Sequence, residues 1–241
     1  MQSIMKLPIY MIGLMFLVIT NQGLAASKSD QAKEKRWEEQ ILPSLLVGEA
    51  VKLKTAGVEF LGLYAENDTD KAQGGIILLH GIGVHPAWPE IIDPLRMNLP
   101  EAGWHTLSLQ MPILKNEADS KDYPPLFDEV PGRIQAGVDF LKAKGIKNIV
   151  IIGHSLGNTM ATYYLATKKD PAVKAFVAVA FGPGHPDDPR MDSYKNFSKV
   201  TIPTLDIYGS ADFDRNLKGV DKRRKVAKKS GNTKFRQVKI E

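Results

Sequence analysis

The sequence predicts an α/β domain: a mostly parallel sheet with helices on both faces, entered through an antiparallel strand pair. Three observations carry this. Short all-apolar runs rich in β-branched residues, Ile76-Ile77-Leu78-Leu79 and Ile149-Val150-Ile151-Ile152 among them, read as strands buried on both faces. From residue 74 onward such runs alternate with helix-period segments, the order that lays parallel strands side by side. Finally, Gly153-His154-Ser155-Leu156-Gly157 stands between a buried run and a helical segment. This G-x-S-x-G pattern depends on a sharp strand-to-helix turn that exposes the serine Oγ, and glycine on either side lets strand and helix approach closely.

Taken in order, the chain opens with a segment to set aside before any fold reasoning. Lys6 gives a positive start, Leu7 to Thr20 form an apolar stretch of signal-peptide length, and Gly23-Leu24-Ala25-Ala26 offers small residues for cleavage. Residues 1–25 therefore read as a cleaved secretory signal and residues 26–241 as one domain, periplasmic or secreted. With 43% hydrophobic residues and 24% charged, 241 residues suffice for one real core. Cysteine is absent, so the domain relies on that core and not on disulfides.

Ser27 to Gln40 is a charged arm, mobile or helical, with Trp37 and Ile41 as its anchors and Pro43 as its end. Ala50 to Leu53 and Val58 to Glu66 read as paired strands turned at Gly57. The Gly74 to Gly83 stretch is a buried strand ending in His80-Gly81-Ile82-Gly83, after which Trp88 to Leu99 looks helical and Thr106 to Leu109 is extended. Pro112 to Pro125 is polar and irregular, the length of an active-site rim. Val130, Ile134, Val138 and Leu141 then mark one buried helix face, stopped by Gly145. After the Ser155 turn come strands at Ala175 to Ala180, Thr204 to Tyr208 and Lys234 to Lys239, with a basic helix before the last.

The charge is unevenly placed. From Arg215 to Lys239 there are eleven Lys or Arg and one acid, so a chain of net +5 is −5 outside this segment. A solvated helix face is the plain reading, and weak contact with an anionic envelope surface the functional one. Nucleic acid is disfavoured by the expected export, and no aromatic residue interleaves with these basic ones except Phe235.

At HGIGVHPAWPEIIDPLRMNLPEAGWHTLSLQMP, GHSLGN and TLDIYGSAD the sequence resembles the α/β-hydrolase superfamily, and within it a family of exported bacterial hydrolase-like proteins of unassigned function. The resemblance implies Ser155 as nucleophile, with the backbone N–H groups of Leu156 and Ile82 as an oxyanion hole. It implies Asp212, in Gly209-Ser210-Ala211-Asp212, as the acid that orients a histidine, with Asp214 the close alternative and Asp206 less favoured. In that superfamily the histidine comes last, yet the histidines here are His80, His85, His105, His154 and His185. The chain thus reads as stopping before its catalytic histidine and closing helix. His185 is the best substitute base, and a weak metal site with Asp187 or Asp188 is a minor alternative without specific spacing. No cofactor or metal is required.

The expected activity is cleavage of an ester or related acyl bond in a small-molecule substrate through an acyl-enzyme on Ser155, impaired for want of the histidine. The alternative is a non-catalytic envelope binding protein on the same scaffold.

Overall fold

In a computed structural model, which describes residues 28–241, one eight-stranded sheet organises the chain in the order β1-β2-β4-β3-β5-β6-β7-β8. The segment read as a signal peptide lies outside the described residues. Strands β1 (Glu49–Thr55) and β2 (Val58–Ala65) form the antiparallel pair, turned at Ala56 and Gly57, both with positive φ (46° and 80°). Strand β2 also runs antiparallel to β4 (Trp104–Leu109). Strands β3 (Gly74–Leu79), β5 (Ile149–His154), β6 (Val173–Val179), β7 (Thr204–Gly209) and β8 (Phe235–Ile240) complete a parallel sheet. The expected class and strand pair are both present.

The apolar runs are central strands because both of their faces are covered. Ile77, Leu79, Ile149 and Ile151 pack into the main core with helices α3 (Val130–Ala143) and α4 (Leu156–Thr167), while Ile76, Leu78 and Ile152 face a smaller cluster around Ile92 on α2 (Ile92–Asn98). All four residues of the expected α3 stripe, Val130, Ile134, Val138 and Leu141, are fully buried. Strand β8 lies at the sheet's edge and leaves Val238 and Ile240 exposed.

Four segments differ from expectation. Helix α2 is shorter than Trp88 to Leu99, because Trp88 to Ile91 form turns in which the Trp88 carbonyl accepts from the Asp93 N–H at 2.9 Å. The charged arm is a docked helix, α1 (Gln31–Ile41), capped by the Asp30 carboxylate on the Lys33 N–H. Ile41 is buried as expected, but so are Lys33 and Glu34. The polar 112–125 segment is only partly a rim, since Ile113 and Tyr123 are core residues. Helix α5 (Val220–Lys229) shows most of its basic side chains to solvent but buries Arg223 completely.

Candidate active site

Strand β5 passes straight into α4 through Ser155, whose φ of 53° and ψ of −116° form a strained corner that serine adopts only when its surroundings enforce it. The enforcement is visible on both sides. The Ser155 N–H donates to the Val179 carbonyl at 3.1 Å, and a Cβ on Gly157 would stand 2.3 Å from the Leu79 carbonyl oxygen. A Cβ on Gly153 would stand 2.8 Å from the Asn158 nitrogen. Gly157→Ala is therefore expected to cost about 3 kcal/mol, because the obstructing atoms are backbone and cannot rotate away. The urea midpoint of the purified variant checks this.

The corner opens on a cleft of about 90 Å³. Ser155, Leu156 and Ile82 share its wall with His185, Arg215 and Asn216. As the first residue of α4, Leu156 carries an N–H that has no acceptor within the helix. The orientation of the Ile82 N–H follows from His80, which is completely buried. His80 Nε2 accepts the Met111 N–H at 2.9 Å, so its proton sits on Nδ1 and is donated to the Gly81 carbonyl at 2.8 Å. A trans peptide holds its C=O and N–H on opposite sides, so fixing the Gly81 carbonyl also fixes the direction of the Ile82 N–H. Burial pushes the His80 pKa down to about 3, and the ring stays neutral.

Asp212 stands behind Asn216. Its Oδ1 accepts from Asn216 Nδ2 at 2.9 Å and from the Phe213 N–H at 2.7 Å, while its Oδ2 is buried with no hydrogen-bond partner among the described residues. The rival acids are otherwise engaged: Asp214 is exposed and pairs with Lys218, and Asp206 is fully buried against Arg223 at 2.6 Å.

The histidines separate as their elements dictate. His105, at the start of β4, bonds the Tyr64 hydroxyl at 2.8 Å, at the far end of the strands from Ser155. His85 lies between Trp37 and Trp88, with ring centroids 4.6 and 5.4 Å away. The His154 ring lies beside Gly81, and burial lowers its pKa against the pull of Glu90 and Asp212. Among the described residues His185 is the histidine on the cleft wall, its Nδ1 3.7 Å from the exposed Asp187 carboxylate. Its loop is held by a two-point Arg190–Asp188 pair, at 3.0 and 2.7 Å, and by Arg190–Asp128 at 2.6 Å. Asp188 is thus committed to Arg190, whose hydrogen bond draws its carboxyl below the usual range. Among the described residues no group of three or more acids and histidines is arranged to hold a metal.

A family model described as "Protein of unknown function (DUF3530)" matches residues 19–125 and 114–241. The chain belongs to the DUF3530 family. Its fold is that of the α/β-hydrolase superfamily. A Pyrococcus furiosus esterase structure matches with a TM-score of 0.64 and 18% identity over 80% of each chain. A dienelactone hydrolase from Anabaena variabilis matches at 0.60 and 22% identity over 80% of this chain and 84% of that one. Est1E from Butyrivibrio proteoclasticus matches at 0.56 and 18% identity, over 79% and 88%. A search of curated protein sequences finds no match.

Within this DUF3530 chain, sequence reasoning passed over three contributors to the site. Asn216 carries no motif, and only the short helix Asp214–Leu217 that follows β7 brings it to Asp212. Ala180 lines the cleft with a φ of 55°, a left-handed corner at the end of β6 that nothing in Ala178-Val179-Ala180 announces. Arg215 reads in the sequence as one more base of the basic run, yet it lines the cleft.

Proposed function

We propose that this chain is a serine hydrolase that cleaves an ester or related acyl bond through an acyl-enzyme on Ser155. The observation that carries the reading is the strained Ser155 corner at the wall of a cleft shared with Leu156 and Ile82. Ser155 Oγ attacks the substrate carbonyl carbon while a base removes the hydroxyl proton. The electron pair displaced onto the carbonyl oxygen is stabilised by the N–H groups of Ile82 and Leu156. The tetrahedral species then expels the leaving alkoxide, which takes the proton from the base, and water releases the acyl group by the same steps. Asp212 is the orienting acid in this scheme, and its unpartnered Oδ2 is the atom that would accept from a histidine N–H. His185 is the base that the described residues offer. An exported location, periplasmic or secreted, is part of the proposal and rests on residues 1–25.

A second reading, a binding protein on a hydrolase scaffold, is favoured by one observation: among the described residues no histidine hydrogen-bonds Ser155 or Asp212. A fluorophosphonate probe separates the two. The first reading expects covalent labelling of the wild-type protein, with loss of all label in Ser155→Ala and loss of most of it in His185→Gln. A folded wild-type protein that takes no label would sink it in favour of the second.

A further inference from the structure

The residues that fix His80 lead away from the cleft to the N-terminal helix. His80 is held by the segment after β4: Met111 donates its N–H to Nε2, and Gln110 Nε2 lies 3.2 Å from the same nitrogen. That segment is in turn gripped along its length from one side. The Gln110 carbonyl accepts from Arg133 Nη1 at 2.9 Å. The Ile113 N–H donates to Ser29 Oγ at 2.8 Å, and the Ile113 carbonyl accepts the Asp30 N–H at 2.8 Å. The Leu114 carbonyl accepts from Lys33 Nζ at 2.9 Å.

At the centre of the grip is a buried ion pair. Arg133, on α3, is completely buried and meets both oxygens of Glu34 on α1, at 3.0 and 2.9 Å, with Glu129 at 3.1 Å. The Ser29 hydroxyl closes on the same Glu34 carboxylate. Charged pairs this deep are costly to desolvate, and apolar residues of the same volume would usually stabilise the fold as well or better. What the pair supplies instead is direction: a planar guanidinium with both ends engaged aims one N–H at the Gln110 carbonyl.

We propose that α1 is a working part of the site: Glu34 and Arg133 are positioning residues that, through Gln110, Met111 and His80, aim the Ile82 N–H into the cleft. The proposal rests on the Ser155 reading for its chemical consequence, while the mechanical coupling stands apart from it. No residue of α1 lines the cleft. Its loss disturbs the stabilisation of the developing oxyanion and leaves the binding surface in place.

The test is Glu34→Gln in the full mature chain, with Arg133→Lys as a second variant should the first fold poorly. Hydrogen exchange is followed over residues 80–84, and fluorophosphonate labelling is resolved into its binding constant and its covalent rate constant. The expected result is a roughly tenfold rise in exchange at 80–84 and a roughly tenfold fall in the covalent rate, with the binding constant unchanged; removal of a whole oxyanion donor costs on the order of 100-fold or more. Asp206→Asn, which breaks a buried pair that makes no contact with Glu34, Arg133 or the 110–114 segment, serves as the exchange control. Unchanged exchange at 80–84 in a variant whose α1 exchanges faster overturns the proposal. So does an equal rise in the control, which would assign the effect to global stability. A wild-type protein that takes no label removes the hydrolase reading but leaves the exchange comparison to decide the coupling.

Discussion

Arg223→Met is expected to destabilise the protein by about 3–5 kcal/mol, the usual consequence of removing one partner from a buried ion pair. Arg223 and Asp206 are both fully buried, with Nε to Oδ2 at 2.6 Å. Arg223 Nη1 also donates to the carbonyls of Phe181 and Asn216, each at 2.8 Å. Methionine fills similar volume but leaves the buried Asp206 carboxylate without its counter-charge and the Phe181 carbonyl without its donor, at a cost on the order of 1–3 kcal/mol each before relaxation, although Gln237 Nε2 still donates to Asp206 at 2.8 Å and the Gly219 N–H to the Asn216 carbonyl at 3.1 Å. The structure has already made room for this arginine. A Cβ on Gly219 would lie 2.9 Å from Arg223 Nη1 and 2.0 Å from the Tyr194 hydroxyl. Urea denaturation measures the loss, and adding Asp206→Leu should recover much of it, since the buried charge then disappears. The consequence extends to the site, because the Asn216 carbonyl held by Arg223 belongs to the residue whose amide holds Asp212. Labelling of Ser155 in Arg223→Met should therefore fall by more than the unfolded fraction explains. A loss under 1 kcal/mol would contradict the assigned role.

The second large effect is a loss of stability on mild acidification, led by His80. The native state keeps this ring neutral down to about pH 3, whereas in the unfolded chain it takes up a proton near pH 6.5. Below pH 6.5 the unfolded state binds more protons, so stability falls by up to ~1.4 kcal/mol per pH unit and levels off near pH 3. Burial depresses His85, His105 and His154 in the same direction. Asp128, Asp170 and Asp188, held below the usual carboxylate range by their partners, add a loss only at lower pH, as the pH drops through their native values. Glu34 opposes the trend, because burial raises its pKa and its protonation favours the native state. Urea midpoints measured between pH 7.5 and 4 check the slope. His80→Asn should lower stability at pH 7.5 and flatten the curve, since the amide can still donate to Gly81 but cannot titrate. An unchanged slope in that variant would show that His80 is not the group responsible.

The parts of this protein that were legible in the sequence are those decided within a few residues. Ile149 to Ile152 are β-branched and apolar without a polar interruption, so they had to be covered on both faces. The helix-period residues after Ser155 had to follow a turn, and the glycines beside it permitted a tight one. Val130, Ile134, Val138 and Leu141 reported a buried face by spacing alone. The same logic failed where a charged residue was buried. Glu34 looks like one more acid in a solvated arm, and Arg223 like one more base in a solvated helix.

The sequence by itself thus determined the α/β architecture, the strained serine corner and the loops that end beside it, because hydrophobic period and glycine placement act through the local backbone. Only the tertiary structure decided which charged groups lie inside, which nitrogen of His80 carries the proton, and that Asn216 reaches Asp212. Those outcomes depend on partners such as Arg133, which lies 99 residues from Glu34, and Asp206, which lies 17 from Arg223. A charge is buried only when such a partner meets it, and that meeting is set by the packing of the whole sheet and its helices.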